Sequence, residues 1–324
     1  MIRAVAPGKV VLWGEYAVLI GAPALVAAVD RFAACALEPG GDHWRCSIAG
    51  YRAETPELTR DALLRDEPPP GDSPWRIFRH VLQALPADAL PHGGRATFDT
   101  ADFHHDGHKL GLGSSAALCV AVYAAACRLL QCPADHDEAQ RIHRSLQHGT
   151  GSGIDVAAAW YGGLLRFQHS RDGVGQSCAW TLPPELHTVF VWSGTAASTT
   201  DHLARLQTWR NRSDGEELTE LAALSGELFE TSDLMAGLGS YVAGLERLDR
   251  AAGLGVFSTP HQQLQQLAST AGVVYKPCGA GGGDVGAAFT MDPHAAERFA
   301  RLATQAGFLP LKLEIASHGL EVTG

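Results

Sequence analysis

The first fifty residues contain several short, mostly apolar runs that are rich in Val, Leu and aromatic residues, as is typical of β-strands. Glycine and proline separate these short runs. The pattern predicts paired strands through this part of the chain and a further short strand over residues 95–99. The strands predicted in the first fifty residues cover 2–5, 9–13, 25–29, 32–37 and 44–48.

Further along, apolar residues recur every three or four positions, which predicts helices. One helix is predicted over residues 114–130, with Ser114 as its N-cap. Another opens at Asp135, where Asp135 and Glu138 form a pair that is similar to a capping box. In the second half, helices are predicted over 199–209, 216–234, 241–252, 260–271 and 295–305, and strands over 188–192, 273–275, 285–290 and 311–314.

The 324-residue length suits two domains better than one core. Pro183-Pro184 is the clearest boundary in the sequence. We therefore expect an α+β protein with an N-terminal domain over residues 1–183 and a C-terminal domain over residues 184–324.

Composition and charge narrow the classes of partner. The net charge of −10 argues against nucleic acid and acidic membranes as partners. The uncharged stretch 110–127 is rich in Gly, Ala and Ser, so a buried helix is a better interpretation than a membrane span. Seven cysteines without a C-x-x-C pair, and early charges at Arg3 and Lys9, favour a reducing cytoplasmic location without a signal peptide.

The stretch Lys109-Leu110-Gly111-Leu112-Gly113-Ser114-Ser115-Ala116-Ala117 has the features of a phosphate-binding loop. Glycines let backbone approach phosphate oxygens, and the following helix directs free N–H groups and its positive dipole end at the anion. The alternative is an ordinary loop before an Ala-rich helix. A Walker A loop does not fit Gly8-Lys9, and the two matches to a Rossmann fingerprint, at Gly111 and Gly281, lack the required strand and helix context.

Three other features add candidate chemistry. Lys9 lies at a strand start close to Gly8, although an exposed edge lysine would look the same. Asp155 opens an apolar helical run after Gly151-Ser152-Gly153, where it could simply compensate the helix dipole. The segment 278–286 contains five glycines within eight positions, which favours a close ligand or a facing backbone.

Together and in this order, these segments resemble the GHMP kinases, the superfamily of galactose, homoserine, mevalonate and phosphomevalonate kinases. Residues 9–29, 111–117 and 278–286 are similar to its three motifs. Residues 106–109, 151–163, 192–199 and 279–284 resemble phosphomevalonate kinases most, whereas Trp13-Gly14-Glu15 and residues 21–25 are closer to mevalonate kinases. The resemblance implies a two-domain fold with the active site in the cleft between the domains.

The resemblance also implies roles for residues. Lys9 and Asp155 would be catalytic, with Lys9 neutralising charge on the transferred phosphoryl group. Lys109 would bind ATP or contact the substrate. The phosphates of Mg-ATP would be bound by Gly111, Leu112, Gly113, Ser114, Ser115, Ala116 and Ala117, with Ser115 as the Mg²⁺ ligand. The substrate would be bound by Glu15, Tyr16, Ser152, Gly153, Ser198, Gly281 and Gly282. No counterpart of a second acidic Mg²⁺ ligand is evident.

The expected activity is transfer of the γ-phosphoryl group of ATP to a small anionic acceptor, mevalonate 5-phosphate, in isoprenoid precursor synthesis. A mevalonate kinase or another GHMP kinase with a hydroxyl acceptor is the alternative. Diphosphomevalonate decarboxylase and a non-catalytic ligand sensor are further rivals, and a homodimer is left open. His104, His105 and His108 resemble a metal tract, but Lys109 follows them directly, so solvated loop histidines are the better interpretation.

Overall fold

The computed structural model describes residues 1–49, 57–65, 74–86, 89–147, 149, 151–169 and 175–324. It combines helices and strands, so the predicted α+β class is confirmed. The strands are β1 Ile2–Trp13, β2 Ala24–Pro39, β3 Trp44–Ile48, β4 Gly94–Asp99, β5 His104–His105, β6 His108–Lys109, β7 Leu164–His169, β8 Gly175–Ala179, β9 His187–Trp192, β10 Val274–Pro277, β11 Val285–Thr290, β12 Leu309–Leu311 and β13 Glu321–Thr323. The α-helices are α1 Arg60–Leu64, α2 Pro74–Gln83, α3 Ser114–Leu129, α4 His136–Leu146, α5 Ile154–Tyr161, α6 Thr199–Arg210, α7 Glu216–Glu227, α8 Leu234–Ala252, α9 Thr259–Ala271 and α10 Pro293–Gln305.

The larger of the two main sheets is built on a long antiparallel pair, β1 and β2. Its strand order is β13-β1-β2-β4-β3, and β7 extends it from β2 with β8 beyond. Two irregularities interrupt the β1–β2 register, one at Pro7/Gly8 and one at Val11/Trp13. The predicted strands 2–5 and 9–13 are therefore parts of one longer strand, β1, and the predicted strands 25–29 and 32–37 are parts of β2. A bulge disturbs the register of two strands without ending their pairing.

Helix α3 packs against β1 and β2, and nearly all of its residues are buried. A helix that is apolar on every side belongs in a core, and its many alanines allow close approach to the sheet. The predicted buried helix is therefore confirmed. Among the residues that the structure describes, no helix is both long and apolar enough to cross a membrane.

The smaller sheet has the order β10-β11-β9-β12 and is antiparallel. Helices α9 and α10 cover one of its faces, where Leu264 and Phe299 pack with Val191 and Tyr275 in a separate core cluster. The last strand, β13, belongs to the larger sheet, where it pairs with β1 through Arg3↔Thr323 and Val5↔Glu321. The domain boundary at residue 183 stays a prediction.

Four local predictions were wrong. Gly113, with φ of 82°, is the N-cap of α3, and Ser114 is already helical. The helix predicted over 216–234 ends at Glu227. Helix α8 begins at Leu234 and not at residue 241 as predicted, because the Asp233 carboxylate accepts from the Ala236 N–H and starts a new helix. The strand predicted over 311–314 lies instead at Leu309–Leu311, and β13 was not predicted.

A buried ion pair connects β1 with the smaller sheet. Glu15, just after β1, accepts from Lys276 of β10 at 2.5 Å and from the Tyr241 hydroxyl of α8 at 2.8 Å. Both charged side chains are almost fully buried. Burial by itself would lower the pKa of Lys276, but the sulfur of Cys278 and the carboxylate of Glu15 reverse this, so the pKa is raised. Lys276 therefore stays charged in the folded protein.

We predict that Lys276→Met destabilises the fold by about 3–5 kcal/mol, because it leaves the Glu15 carboxylate buried without its counter-ion. Chemical denaturation followed by circular dichroism measures this. The double variant Glu15→Gln/Lys276→Met removes both charges and should recover at least half of the loss. A double variant less stable than Lys276→Met would contradict this account.

Candidate active site

A cavity of about 280 Å³ collects residues from distant parts of the sequence. They come from β1 and the turn after it, the loop before α3, the start of α5, the loop before α6 and the segment between β10 and β11. The three glycine-containing segments predicted to bind phosphate and substrate thus meet at one place. The predicted site residues that line the cavity are Lys9, Glu15, Tyr16, Lys109, Gly111, Gly113, Ser114, Ser115, Ala116, Ser152 and Asp155.

The loop before α3 has the backbone form of an anion site. Gly111 and Gly113 both have positive φ angles, 76° and 82°, which glycine adopts without strain. The Ala117 N–H donates to the Gly113 carbonyl and starts the helical ladder. The first N–H groups of a helix have no intrahelical acceptor, so those of residues 114–116 are available to an anion. Ser115 is exposed here and Ser114 is buried.

The Lys9 side chain lies between the loop before α3 and the glycine segment that follows β10. Its backbone N–H donates to the Leu112 carbonyl at 2.8 Å, which fixes β1 against the loop before α3. A Cβ added at Gly113 would lie 3.0 Å from the Lys9 Cγ, and one added at Gly279 would lie 3.8 Å from its Nζ. The glycines therefore leave the space through which the lysine side chain reaches the cavity.

Asp155 is held in the first turn of α5. Its Oδ1 accepts from the Val156 N–H at 3.0 Å, and the carboxylate is about one-fifth exposed. Behind it lies His143 of α4, which is buried, with its Nδ1 3.8 Å from the Asp155 Oδ1. The carboxylate is thus oriented by its own helix while one side still faces the cavity.

Glu15 and Tyr16 line the cavity, but the polar groups of both side chains already form hydrogen bonds within the protein. Glu15 accepts from Lys276 and Tyr241, as described above. The Tyr16 hydroxyl donates to the Ala280 carbonyl at 2.5 Å, and burial raises its pKa. Both residues connect the turn after β1 to the third glycine segment, and substrate contact by either stays a prediction.

Six other predicted residues lie outside the lining of this cavity, and they are Leu112, Ala117, Gly153, Ser198, Gly281 and Gly282. The Ser198 side chain caps α6 by accepting from the Asp201 N–H. A Cβ at Gly281 would meet Val256 at 2.5 Å. This glycine therefore serves the close approach of two backbone segments, and its assignment to substrate binding stays a prediction.

His261 contacts the glycine segment between β10 and β11. Its Nε2 lies 2.9 Å from the Gly283 carbonyl, and its Nδ1 lies 2.7 Å from the Tyr275 hydroxyl. The neutral ring satisfies both contacts if Nε2 carries the proton and Nδ1 accepts from the tyrosine. Burial lowers the pKa of His261 to about 4, so the ring is neutral in the folded protein near neutral pH.

Asp284 is a cavity residue that the sequence analysis missed. A Cβ at Gly111 would overlap the carboxyl group of Asp284, at 2.2 Å from its Cγ, so this side chain packs directly on the loop before α3. Its Oδ1 accepts from the Ala197 N–H at 3.3 Å. Burial raises its pKa, and the Ala197 N–H, Lys9 and Lys109 oppose the rise. Its place at the end of a glycine run was the signal that could have found it.

The oxygen donors around this cavity fit Mg²⁺ carried by a nucleotide. Mg²⁺ uses one or two protein oxygens beside substrate phosphates and keeps several waters. The Ser115 hydroxyl and the Asp284 and Asp155 carboxylates line the cavity, and the described residues contain no cluster of three or more His, Cys, Asp or Glu that could hold a metal unaided. The histidines at 104, 105 and 108 lie exposed on the β5–β6 hairpin.

Residues 89–163 match the family model of the GHMP kinases N terminal domain. This segment contains the loop before α3 and the start of α5, so the chain is similar to the GHMP kinases at two walls of the cavity. Its curated relatives include a phosphomevalonate kinase of Streptomyces sp. (strain CL190), 29% identical with 97% of each chain covered. They also include a mevalonate kinase of Thermococcus gammatolerans, 28% identical with 99% of this chain and 98% of the relative covered.

Solved structures agree on the fold. A protein from Listeria innocua superposes with a TM-score of 0.83 at 22% identity, covering 99% of both chains. Streptococcus pneumoniae phosphomevalonate kinase, solved in complex with phosphomevalonate and AMPPNP, gives 0.76 at 19% identity, with 97% of this chain and all of that chain covered. The expected GHMP kinase fold is confirmed.

His261 predicts how stability depends on pH. Its folded pKa of about 4 is below the ordinary value of roughly 6.5, so the unfolded chain binds more protons between these values. The contribution is complete above pH 6.5 and is lost as pH falls to 4, by about 3 kcal/mol. Urea unfolding of wild type and His261→Asn from pH 7.5 to 4 should show a shallower decline in the variant. Equal slopes would refute this.

Lys9→Met should lower kcat by about 10²-fold or more, because charge that develops in the transition state loses a fixed partner. The chain has four lysines, and three of them, Lys9, Lys109 and Lys276, lie at or beside the site. Exposed Lys312 is the matched control for loss of one charge. A coupled ADP-release assay measures both variants, and equal turnover by Lys9→Met and Lys312→Met would remove Lys9 from the mechanism.

Proposed function

We propose that the protein transfers the γ-phosphoryl group of ATP to the phosphate of mevalonate 5-phosphate. The observation that carries the proposal is a second lysine, Lys109, on the wall of the cavity that Lys9 enters. One cation is enough to neutralise the transferred group, whereas an acceptor that is itself a phosphate adds further negative charge beside it. Similarity to a phosphomevalonate kinase over 97% of the chain supports this acceptor.

In this proposal the nucleotide phosphates lie at the N-terminus of α3, where backbone N–H groups and the helix dipole favour anions. Lys9 reaches the transferred group from β1, between the loop before α3 and Gly279. Ser115 would hold Mg²⁺, which would neutralise charge on the nucleotide phosphates when bound. Lys109 would contact the acceptor phosphate.

Asp155 has a different task for each kind of acceptor. A hydroxyl must lose its proton during transfer, so a carboxylate base contributes about 10²–10⁴-fold. A phosphate monoester has a second pKa of roughly 6 and is already largely deprotonated near neutral pH. With mevalonate 5-phosphate, Asp155 would orient Lys9 and the bound phosphates and would remove no proton.

A mevalonate kinase is the second candidate, because relatives with that name match 99% of this chain at similar identity. In that case Asp155 would be the base for the mevalonate hydroxyl. The two candidates therefore differ in acceptor and in the work required of one carboxylate.

We predict turnover of mevalonate 5-phosphate by wild type and a loss of less than about 10² in kcat for Asp155→Asn, below the usual range for a lost general base. Turnover of mevalonate should be negligible in both. The measurement is kcat on both acceptors from pH 6 to 9, with Asp61→Asn, an exposed acid in the first turn of α1, as control. Wild-type activity on mevalonate that Asp155→Asn abolishes would instead identify a mevalonate kinase.

A further inference from the structure

A second cavity, of about 430 Å³, continues from the candidate active site. The two cavities share Leu19, Gln147, Gly151 and Leu203 as lining residues. None of residues 111–117, the proposed nucleotide side, lines the second cavity. It therefore extends from the side of Asp155, which is where an acceptor molecule would enter.

One wall of this extension is a face of α6. Thr200, Ala204 and Gln207 follow one another at helical spacing, and Arg210 ends the face. Leu203 touches both cavities, and Arg210 lies seven residues beyond it, about 10 Å along the helix axis. The extension thus has the length of a small metabolite, with an arginine at its far end.

A second arginine, Arg144 of α4, lines the same extension. Its Nε donates to the Gly149 carbonyl at 3.0 Å, which leaves the two terminal nitrogens of the guanidinium group for another acceptor. The Arg210 guanidinium has no hydrogen bond or ion pair with any residue that the structure describes. The described lining contains no Asp or Glu. In a chain with a net charge of −10, two arginines without a carboxylate make this end selective for an anion.

We propose that Arg144 and Arg210 bind the carboxylate at the end of the acceptor opposite to its phosphorylated group. This rests on the proposed function, since mevalonate 5-phosphate carries a carboxylate at that end. The planar guanidinium group matches a carboxylate with two parallel hydrogen bonds, which fixes orientation as well as affinity. An acceptor held in this way presents its other end to Lys9 and Lys109.

The test is Arg210→Met, assayed by steady-state kinetics with mevalonate 5-phosphate, mevalonate, homoserine and galactose. We expect KM for mevalonate 5-phosphate to rise roughly 10- to 100-fold, as for a lost charge-assisted hydrogen bond. KM for ATP should change less than about twofold. Arg210→Lys should recover part of the loss. Arg212→Met is the matched control, because Arg212 is exposed, lies outside the cavity lining and donates to the Thr208 carbonyl.

A methyl ester of the acceptor separates carboxylate binding from a structural effect. Wild type should use the ester at least about tenfold less well than the acid, and Arg210→Met should treat the two alike. Unchanged acceptor KM in Arg210→Met would overturn the carboxylate site and leave the kinase proposal intact. Turnover of mevalonate in place of its phosphate would overturn only the proposed acceptor. Preference for galactose would overturn both.

Discussion

The Glu15–Lys276 ion pair is the contact on which the arrangement of the site depends. Glu15 follows the strand that carries Lys9, and Lys276 precedes the glycine segment that carries Gly279 and Asp284. Removing water from two charges costs several kcal/mol each, so such a pair persists only with good geometry and further hydrogen bonds. Tyr241 and the Gly279 N–H supply those bonds. The pair therefore joins two walls of the cavity at a fixed separation.

The other charged groups of the site are likewise single residues held in place by the fold. The protein is acidic overall, so it cannot attract anions by its net charge and must hold them with few, well-placed groups. Lys9, Lys109 and the start of α3 surround one cavity, and Arg144 and Arg210 border its extension. Each cation belongs to a different element. The placement of these cations around one cavity and its extension thus depends on the packing of several elements.

The sequence predicted what is local. The glycines at 111 and 113, the serine-containing helix start and the acidic residue at 155 are features of continuous segments, and the structure brings them to one cavity. The N-cap at Gly113 and the break after Glu227 were missed because each depends on a single residue, Gly113 in the left-handed conformation and Asp233 as the N-cap of α8. Strand β13 was missed because three exposed residues carry no pattern until β1 lies beside them.

The contacts that build the site are separated too widely in the chain for any pattern to show. Glu15 and Lys276 lie 261 residues apart, and Asp284 meets Gly111 across 284 − 111 = 173 residues. Arg210 sits at the end of a helix whose charged residues resemble an ordinary solvated face until the second cavity is seen. Side-chain partners of this kind are set by tertiary packing, to which local propensity contributes little.

Strand β13 gives the fold an order of assembly. It covers the edge of β1, so a strand made early is completed by one that follows it by more than 300 residues. During synthesis β1 and β2 can pair early, but one edge of their sheet stays open until residue 321 has emerged. An uncovered edge can recruit strands from other chains, so the edge of β1 remains vulnerable to aggregation until β13 pairs with it. Once folded, Met1 and Gly324 lie side by side.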